Sequence, residues 1–213
     1  MLMTRYQEVE RKFDADPGAP LPDLSGATGT VSEAVESQLD ATYFDTADAQ
    51  LARHRITLRR RTGGDDAGWH LKLPSGHDER TEVRLPLGRS TRTVPEALTR
   101  EVSAIVRDRP LVPIAVLHTT RIERRLLDAD GNALASVADD TVRGQRLTEG
   151  EGSIEVSTWR EVEVELLDGD RAFLDAVSSR LLAAGLTPSG STSKLARVLG
   201  DIAGATEGSR LER

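Results

Sequence analysis

Tyr6-Gln7-Glu8-Val9-Glu10-Arg11-Lys12-Phe13 is the stretch on which the fold is decided. Its charges alternate: Glu8, Glu10 and Lys12 share one side of an extended chain, and Val9, Arg11 and Phe13 share the other. A period of two belongs to a β-strand. On a strand, the two carboxylates and the ammonium stand in line at steps of roughly 6.5–7 Å. The same alternation recurs four times. Ile56–Arg61 puts Arg59 and Arg61 opposite Leu58, and His70 and Lys72 oppose Leu71 and Leu73. Arg80–Leu87 sets Arg80, Glu82 and Arg84 against Val83, Leu85 and Leu87. Trp159–Leu167 sets Glu161, Glu163 and Glu165 against Val162, Val164 and Leu166.

These polar faces are denser in charge than an ordinary solvated sheet face. One reading is an open sheet laced with cross-strand ion pairs, each worth little. The other is a closed barrel with its charges inward and its apolar faces turned out to helices. An inward charged face is costly unless it is hydrated or meets a charged ligand. A metal-bound polyanion would satisfy both signs at once.

Further strands are expected at Leu39–Phe44, Val112–Thr120, Arg121–Asp128, Ala133–Val142 and Ser153–Ser157, with Asp130-Gly131-Asn132 as a hairpin turn. Helical periodicity covers Pro95–Arg107 and Asp170–Ala184, the latter closed by Gly185, with shorter helices at Asp48–His54 and Ser193–Ile202. Pro17–Gly29 reads as a loop, and Gly63–Gly68 and Pro74–Asp78 read as turns. No internal repeat or interdomain linker interrupts residues 1–202, which form one expected domain. Residues 203–213 read as a polar tail or the start of a linker.

With 28 basic and 35 acidic side chains in 213 residues, the net charge is −7. That argues against a general nucleic-acid or anionic-membrane binder. Aromatic residues at 3% leave little on which bases could stack. The run Arg53–Arg61, with five Arg in nine residues, therefore points to an internal polyanion site and not to a nucleic-acid patch. No cysteine is present, so disulfides, zinc thiolates and thiol nucleophiles are excluded. No run approaches 18 apolar residues and Met1–Glu10 is charged, so a cytoplasmic protein without a membrane segment is expected.

Of the 28 basic residues, 25 are Arg and only Lys12, Lys72 and Lys194 are Lys. A site that needs compact point charges is one reason to keep a Lys among so many Arg. Carboxylates without His or Cys partners suit hard cations such as Mg²⁺ or Mn²⁺. His54, His70, His77 and His118 lack metal-ligand spacing, although His70 shares the face of Lys72. Trp69 and Trp159 read as strand-end packing, and Arg89, Arg92 and Arg124 as solvated surface; Arg125 shares the parity of Arg121. Gly150 and Gly152 sit in an acidic loop without the strand–glycine-loop–helix context of a phosphate cradle.

Glu8-x-Glu10-x-Lys12 resembles the amino-terminal signature of the CYTH family, the triphosphate tunnel metalloenzymes. The resemblance continues in order through Tyr43-Phe44-Asp45-Thr46, Leu58-Arg59-x-Arg61, Leu71-Lys72, Arg80-x-Glu82, Thr119-Thr120-Arg121, Asp140-x-Val142, Glu161-x-Glu163 and Ser193-Lys194. It implies an α+β fold: a closed eight-stranded antiparallel barrel, forming a tunnel, with helices packed outside. It also implies a divalent-metal-dependent triphosphatase, with inorganic tripolyphosphate as the expected substrate.

By the same resemblance Glu8, Glu10, Glu161 and Glu163 are catalytic, metal-side carboxylates, and Asp140 joins the metal shell. Lys12, Arg59, Arg61, Lys72, Arg80, Glu82, Arg121 and Lys194 line the substrate path. Two registers stay open: Glu165 shares the face of Glu161 and Glu163, and Asp139 competes with Asp140, which is preferred because Ala138 would then face inward. Mg²⁺ or Mn²⁺ is the implied cofactor, and a helical CHAD domain is a partner found beside related domains. Two further readings stand beside hydrolysis of the inorganic triphosphate. One is a polyphosphate-binding module with little turnover. The other is a thiamine or nucleoside triphosphatase, or an adenylate cyclase, of the same family.

Overall fold

The computed structural model describes residues 3–147 and 156–200. Eight long strands carry the fold: β1 (Thr4–Ala15), β3 (Val35–Asp45), β4 (Thr57–Thr62), β5 (Gly68–Pro74), β6 (Glu79–Leu85), β7 (Val112–Leu127), β8 (Ala133–Arg146) and β9 (Val156–Leu166). They pair antiparallel in the order β1-β6-β5-β4-β3-β7-β8-β9, and β9 pairs back onto β1. The sheet is therefore closed. β1 makes the closure by pairing with β6 through its first half, Thr4 to Val9, and with β9 through its second, Glu10 to Ala15. Two short strands add to the rim, β2 (Thr30–Val31) on β7 and β10 (Thr187–Pro188) on β1. Among the described residues, closure leaves no long unpaired edge.

Helices cover the apolar side of each alternation. α2 (Glu96–Val106) lays Leu98, Val102 and Val106 on Leu58, Leu71, Val83 and Leu85 of β4, β5 and β6. α3 (Arg171–Ala183) lays Leu174, Val177 and Leu181 on Phe13, Val137, Val162 and Val164 of β1, β8 and β9. Each of these leucines contributes about 1.5–3 kcal/mol when buried. Because the leucines and valines must face these helices, the alternate charged residues must face the barrel interior. That rules out the open solvated sheet.

α1 (Gln50–Arg53) and α4 (Lys194–Leu199) belong to a third core inside one end of the barrel. There Leu195, Val198 and Leu199 of α4 meet Tyr43, Leu117, Val142 and Trp159. α4 comes so close that a Cβ on Gly144 would lie 2.4 Å from Val198 Cγ2. The carboxylate of Asp45, fully buried, accepts from the backbone amides of Thr46, Leu51 and Ala52 at 2.7–2.9 Å. Burial pushes its pKa up, with those amides opposing. The Asp of Tyr43-Phe44-Asp45-Thr46 thus ties α1 to β3.

Several sequence expectations change in detail. The separate strands expected at Val112–Thr120 and Arg121–Asp128 are one continuous strand, β7, because no turn residue separates Thr120 from Arg121. β6 ends at Leu85 because Pro86, which has no N–H, follows. The Asp130-Gly131-Asn132 hairpin is present, with Gly131 at φ +87°. Both long helices match within a residue or two, and Gly185 follows α3 at φ +94°. Of the strand expected at Ser153–Ser157, residues 153–155 lie outside the described residues and the remainder begins β9. Ile202 and the 203–213 tail also lie outside them.

Candidate active site: a charged tunnel

The strand register brings the interior charges together around one cavity with about 60 Å³ of free volume. β1 supplies Glu8, Glu10 and Lys12; β4 supplies Arg59 and Arg61; β5 supplies Lys72; β6 supplies Arg80 and Arg84. Arg121 enters from β7, Glu163 and Glu165 from β9, and Lys194 from the first position of α4. Ser193 fixes the start of that helix, its hydroxyl accepting from Ala196 N at 3.0 Å. Asp140 lies against the adjoining part of the same space with Arg59, Arg61, Arg121 and Lys194. Glu82 and Glu161 face inward but are buried behind the lining.

Acids and bases interlock across the interior. Arg121 grips both oxygens of Asp140, Nε to Oδ1 at 2.8 Å and Nη2 to Oδ2 at 2.7 Å, and also reaches Glu163 at 2.9 Å. Lys194 Nζ meets Asp140 at 2.9 Å, Glu161 at 2.6 Å and Glu163 at 2.8 Å. Lys12 bridges Glu163 and Glu10, the latter at 3.1 Å. Lys72 lies 2.7 Å from Glu8 and 3.9 Å from Glu10. Arg80 reaches Glu10 at 3.6 Å and donates to the Thr192 carbonyl at 2.6 Å, tying the loop before α4 to the wall.

Three carboxylates, Asp140, Glu161 and Glu163, converge so that one oxygen of each lies within 4.8 Å of the others. Among the described residues this is the one group of three or more potential ligands so arranged. An all-oxygen donor set of this kind fits a hard divalent cation. Trp159 Nε1 donates to Glu161 at 2.5 Å, so the indole fixes a carboxylate besides packing. Asp140 points inward with no exposed surface, while Asp139 pairs with Arg160 at 2.8 Å on the other face. Glu165 faces inward too, but lies opposite Glu10 and outside the three-carboxylate group.

Burial works against every charge here, and local partners decide the outcome. Burial raises Glu10, but Lys12, Lys72 and Arg80 outweigh it and bring its pKa down to about 2. Burial likewise opposes Glu163, which Lys12, Lys194 and Arg121 hold well below the usual carboxylate range. Glu8 goes the other way: burial, reinforced by Glu82, Glu10 and Glu165, exceeds the help of Lys72 and lifts it to about 8. Lys194 stays protonated well above its usual range because Asp140, Glu163 and Glu161 overcome its desolvation.

Glu82 has no exposed surface and accepts from Tyr6 Oη, Arg84 Nε and His70 Nδ1, the last at 2.9 Å. Burial raises it, but the His70 bond and Lys72 prevail and set it at about 2, below its ordinary 4.5. A depressed carboxylate stabilises the fold above its unfolded pKa, and that stability is lost as pH falls through the folded one. Glu82 therefore contributes on the order of 3 kcal/mol at neutral pH that disappears between about pH 4.5 and 2. Thermal denaturation of E82Q should show a lower Tm at pH 7 and a flatter decline below pH 4.5 than the wild type. Parallel declines would refute this.

Every residue expected at the site from sequence is inward, whereas Arg125, paired in β7 with Ser136 of β8, is exposed and lines neither part of the cavity. The cavity also includes Tyr43, Thr57, Asp66, Arg84 and Thr192. Parity would have found Arg84, which alternates with Arg80 and Glu82, and Tyr43, whose hydroxyl lies 3.4 Å from Arg59. Asp66 and Thr192 come from loops, where periodicity gives no signal.

Among the described residues no helix is long and apolar enough to cross a membrane. Two uncharacterized proteins, from two strains of Mycobacterium tuberculosis, are each 47% identical to this chain over 208 residues, covering 92% of it. The chain spans 40% of the length of those relatives. Similar folds occur in a Bacillus halodurans protein provisionally named an adenylate cyclase (TM-score 0.62, 16% identity, 92% of this chain and 99% of that one) and in a Pyrococcus horikoshii protein (0.53, 15%, 91% and 98%). A Hippeastrum protein, provisionally named an adenylyl cyclase and described as having a dominant triphosphatase activity, is also similar (0.51, 18%, 90% and 95%). The CYTH domain family matches residues 6–198. With nearly the whole closed barrel inside that match, the chain belongs to the CYTH family.

Proposed function

We propose that the tunnel hydrolyses the terminal phosphoanhydride of a short triphosphate, inorganic tripolyphosphate first, with Mg²⁺ or Mn²⁺ as cofactor. One observation carries this: Lys12, Arg59, Arg61, Lys72, Arg121 and Lys194 converge on the space that Glu163 and Asp140 line, with Glu161 of the same three-carboxylate group buried directly behind them. A triphosphate carries closely spaced charges that only such a set of cations can desolvate together.

In this reading Asp140, Glu161 and Glu163 hold the divalent cation, and Glu8 and Glu10 complete the acidic side. The cation supplies charge neutralisation on the non-bridging phosphate oxygens. Lys12, Lys72, Lys194, Arg59, Arg61 and Arg121 grip the phosphate chain, and Arg80 holds the mouth loop beside it. A water attacks the terminal phosphorus, the bridging P–O bond breaks, and a carboxylate of Glu161, Glu163 or Glu8 takes the water's proton. Phosphate and diphosphate leave.

Phosphate release by malachite green should require Mg²⁺ or Mn²⁺, cease with EDTA, and be faster on tripolyphosphate than on ATP or thiamine triphosphate. The convergence of cations, which serves binding whether or not a bond is broken, supports one second reading, a polyphosphate-binding module with little turnover. Tight binding without release would establish that reading. An unchanged Tm in millimolar tripolyphosphate would overturn both, since ligand linkage demands a rise.

A further inference from the structure

Arg61 is 5% exposed, and its Nη2 meets the carboxylate of Asp66, while its Nε, like the Nε of Arg59, has no hydrogen-bond partner. Arg59 has a tyrosine hydroxyl at 3.4 Å, and among the described residues no carboxylate within ion-pair distance. Arg61, Arg59 and Arg121 crowd one another: burial first, then Arg59 and Arg121, bring the Arg61 pKa down to about 9. A buried guanidinium short of anions is unfavourable unless something negative arrives.

Among the described residues, the one carboxylate that meets Arg61 is not from the barrel wall. Asp66 belongs to the loop of residues 63–67 between β4 and β5, and it lines the cavity. The loop is aimed inward by its backbone. Gly63 sits at φ +79° and Gly64 at φ +70°, and a Cβ on Gly63 would lie 1.9 Å from the Gln38 carbonyl. The buried His70 lies against the other side of the loop, its Nε2 2.9 Å from the Asp66 carbonyl oxygen and its Nδ1 turned to Glu82. The Asp66 side chain keeps 32% of its surface, so it can swing back into solvent.

We propose that Asp66 is a tethered competitor for the phosphate-binding guanidiniums, occupying Arg61 in the empty tunnel and yielding it to the terminal phosphate of an incoming chain. The proposal rests on the triphosphate reading above. An arginine fork takes a carboxylate and a phosphate by the same paired geometry. A terminal phosphate brings more charge than one carboxylate and can reach Arg59 as well. Asp66 then sets selectivity: a ligand must be anionic enough to displace it, which rejects monoanions that would otherwise enter a tunnel rich in cations.

The test compares the wild type with D66N and D66A, titrating tripolyphosphate and acetate against Tm in EDTA and measuring KM and kcat with Mg²⁺. Removing the competitor should lower half-saturation by tripolyphosphate and KM by about fivefold or more, with kcat little changed. Acetate should begin to stabilise the variants and not the wild type. Equal or weaker tripolyphosphate binding by the variants would instead make Asp66 a support for Arg61 and overturn the inference. Should neither variant fold, hydrogen exchange of residues 63–67 in the wild type decides: tripolyphosphate should speed it, and slower exchange refutes displacement. Binding that shows the competition without phosphate release would remove the hydrolase reading alone. No binding by any of the proteins would remove both.

Discussion

Substituting Glu163 by Gln is expected to reduce metal-dependent phosphate release by at least about 100-fold while the protein remains folded. Glu163 is the carboxylate shared by the acidic group and by three cations, Lys12, Arg121 and Lys194. In the proposed reading, its replacement by an amide removes one of the three carboxylates that would hold the cation and leaves a neutral group facing the cavity. The fold persists because each of those cations keeps another carboxylate: Glu10 for Lys12, Asp140 for Arg121, and Asp140 and Glu161 for Lys194. The control is E165Q. Glu165 shares the inward face but lies outside the three-carboxylate group, so its variant should stay within a few-fold of the wild type. Steady-state release with each metal, beside circular dichroism, reads the outcome. Full activity in E163Q, or equal losses in the two variants, would remove the assignment of Asp140, Glu161 and Glu163 as the metal side.

Arg121→Ala should cost more in stability than any single change on the rim. Asp140 has no exposed surface and both its oxygens are held by the Arg121 fork. Removing one partner of a buried pair costs about 3–5 kcal/mol, because the other charge stays behind. For a protein of this size that lowers Tm by roughly 10 °C. Lys194 still faces Asp140 at 2.9 Å, which keeps the loss from being larger. R121K should recover part of the stability, since the charge returns without the two-pronged geometry. It should not recover triphosphate affinity to the same degree. A Tm for R121A within a degree or two of the wild type would show that the Arg121–Asp140 contact carries little of the fold.

The sequence was informative wherever the signal was local alternation. In β1, β6 and β9 a two-residue period sets Glu8, Glu10 and Lys12, then Arg80, Glu82 and Arg84, then Glu161, Glu163 and Glu165 each on one face, and the structure turns those faces inward; the opposite faces carry Val9, Phe13, Val83, Leu85, Val162 and Val164 together with Arg11 and Arg160. α2 and α3 were legible for the equivalent helical reason. Where the backbone changes direction the signal fails. The loop carrying Asp66 and the loop carrying Thr192 follow no period, so nothing in their residue order places them in the cavity. β2 and β10 are two residues each and exist because a neighbouring strand is there to pair with them.

By itself the sequence determined which side chains share a face, that the site is built of oxygen and nitrogen ligands without sulfur, and that its ordered motifs are those of the CYTH family. Whether the charged faces look outward or inward was decided only in three dimensions. Alternation fixes two faces but not which of them meets water. That choice falls to α2 and α3, which cover the leucines and valines, and to β1, which splits its pairing between β6 and β9 and closes the ring. Closure brings Asp140, Glu161, Glu163 and Lys194 from three different elements to within hydrogen-bonding reach, a proximity set by strand register and by the docking of α4.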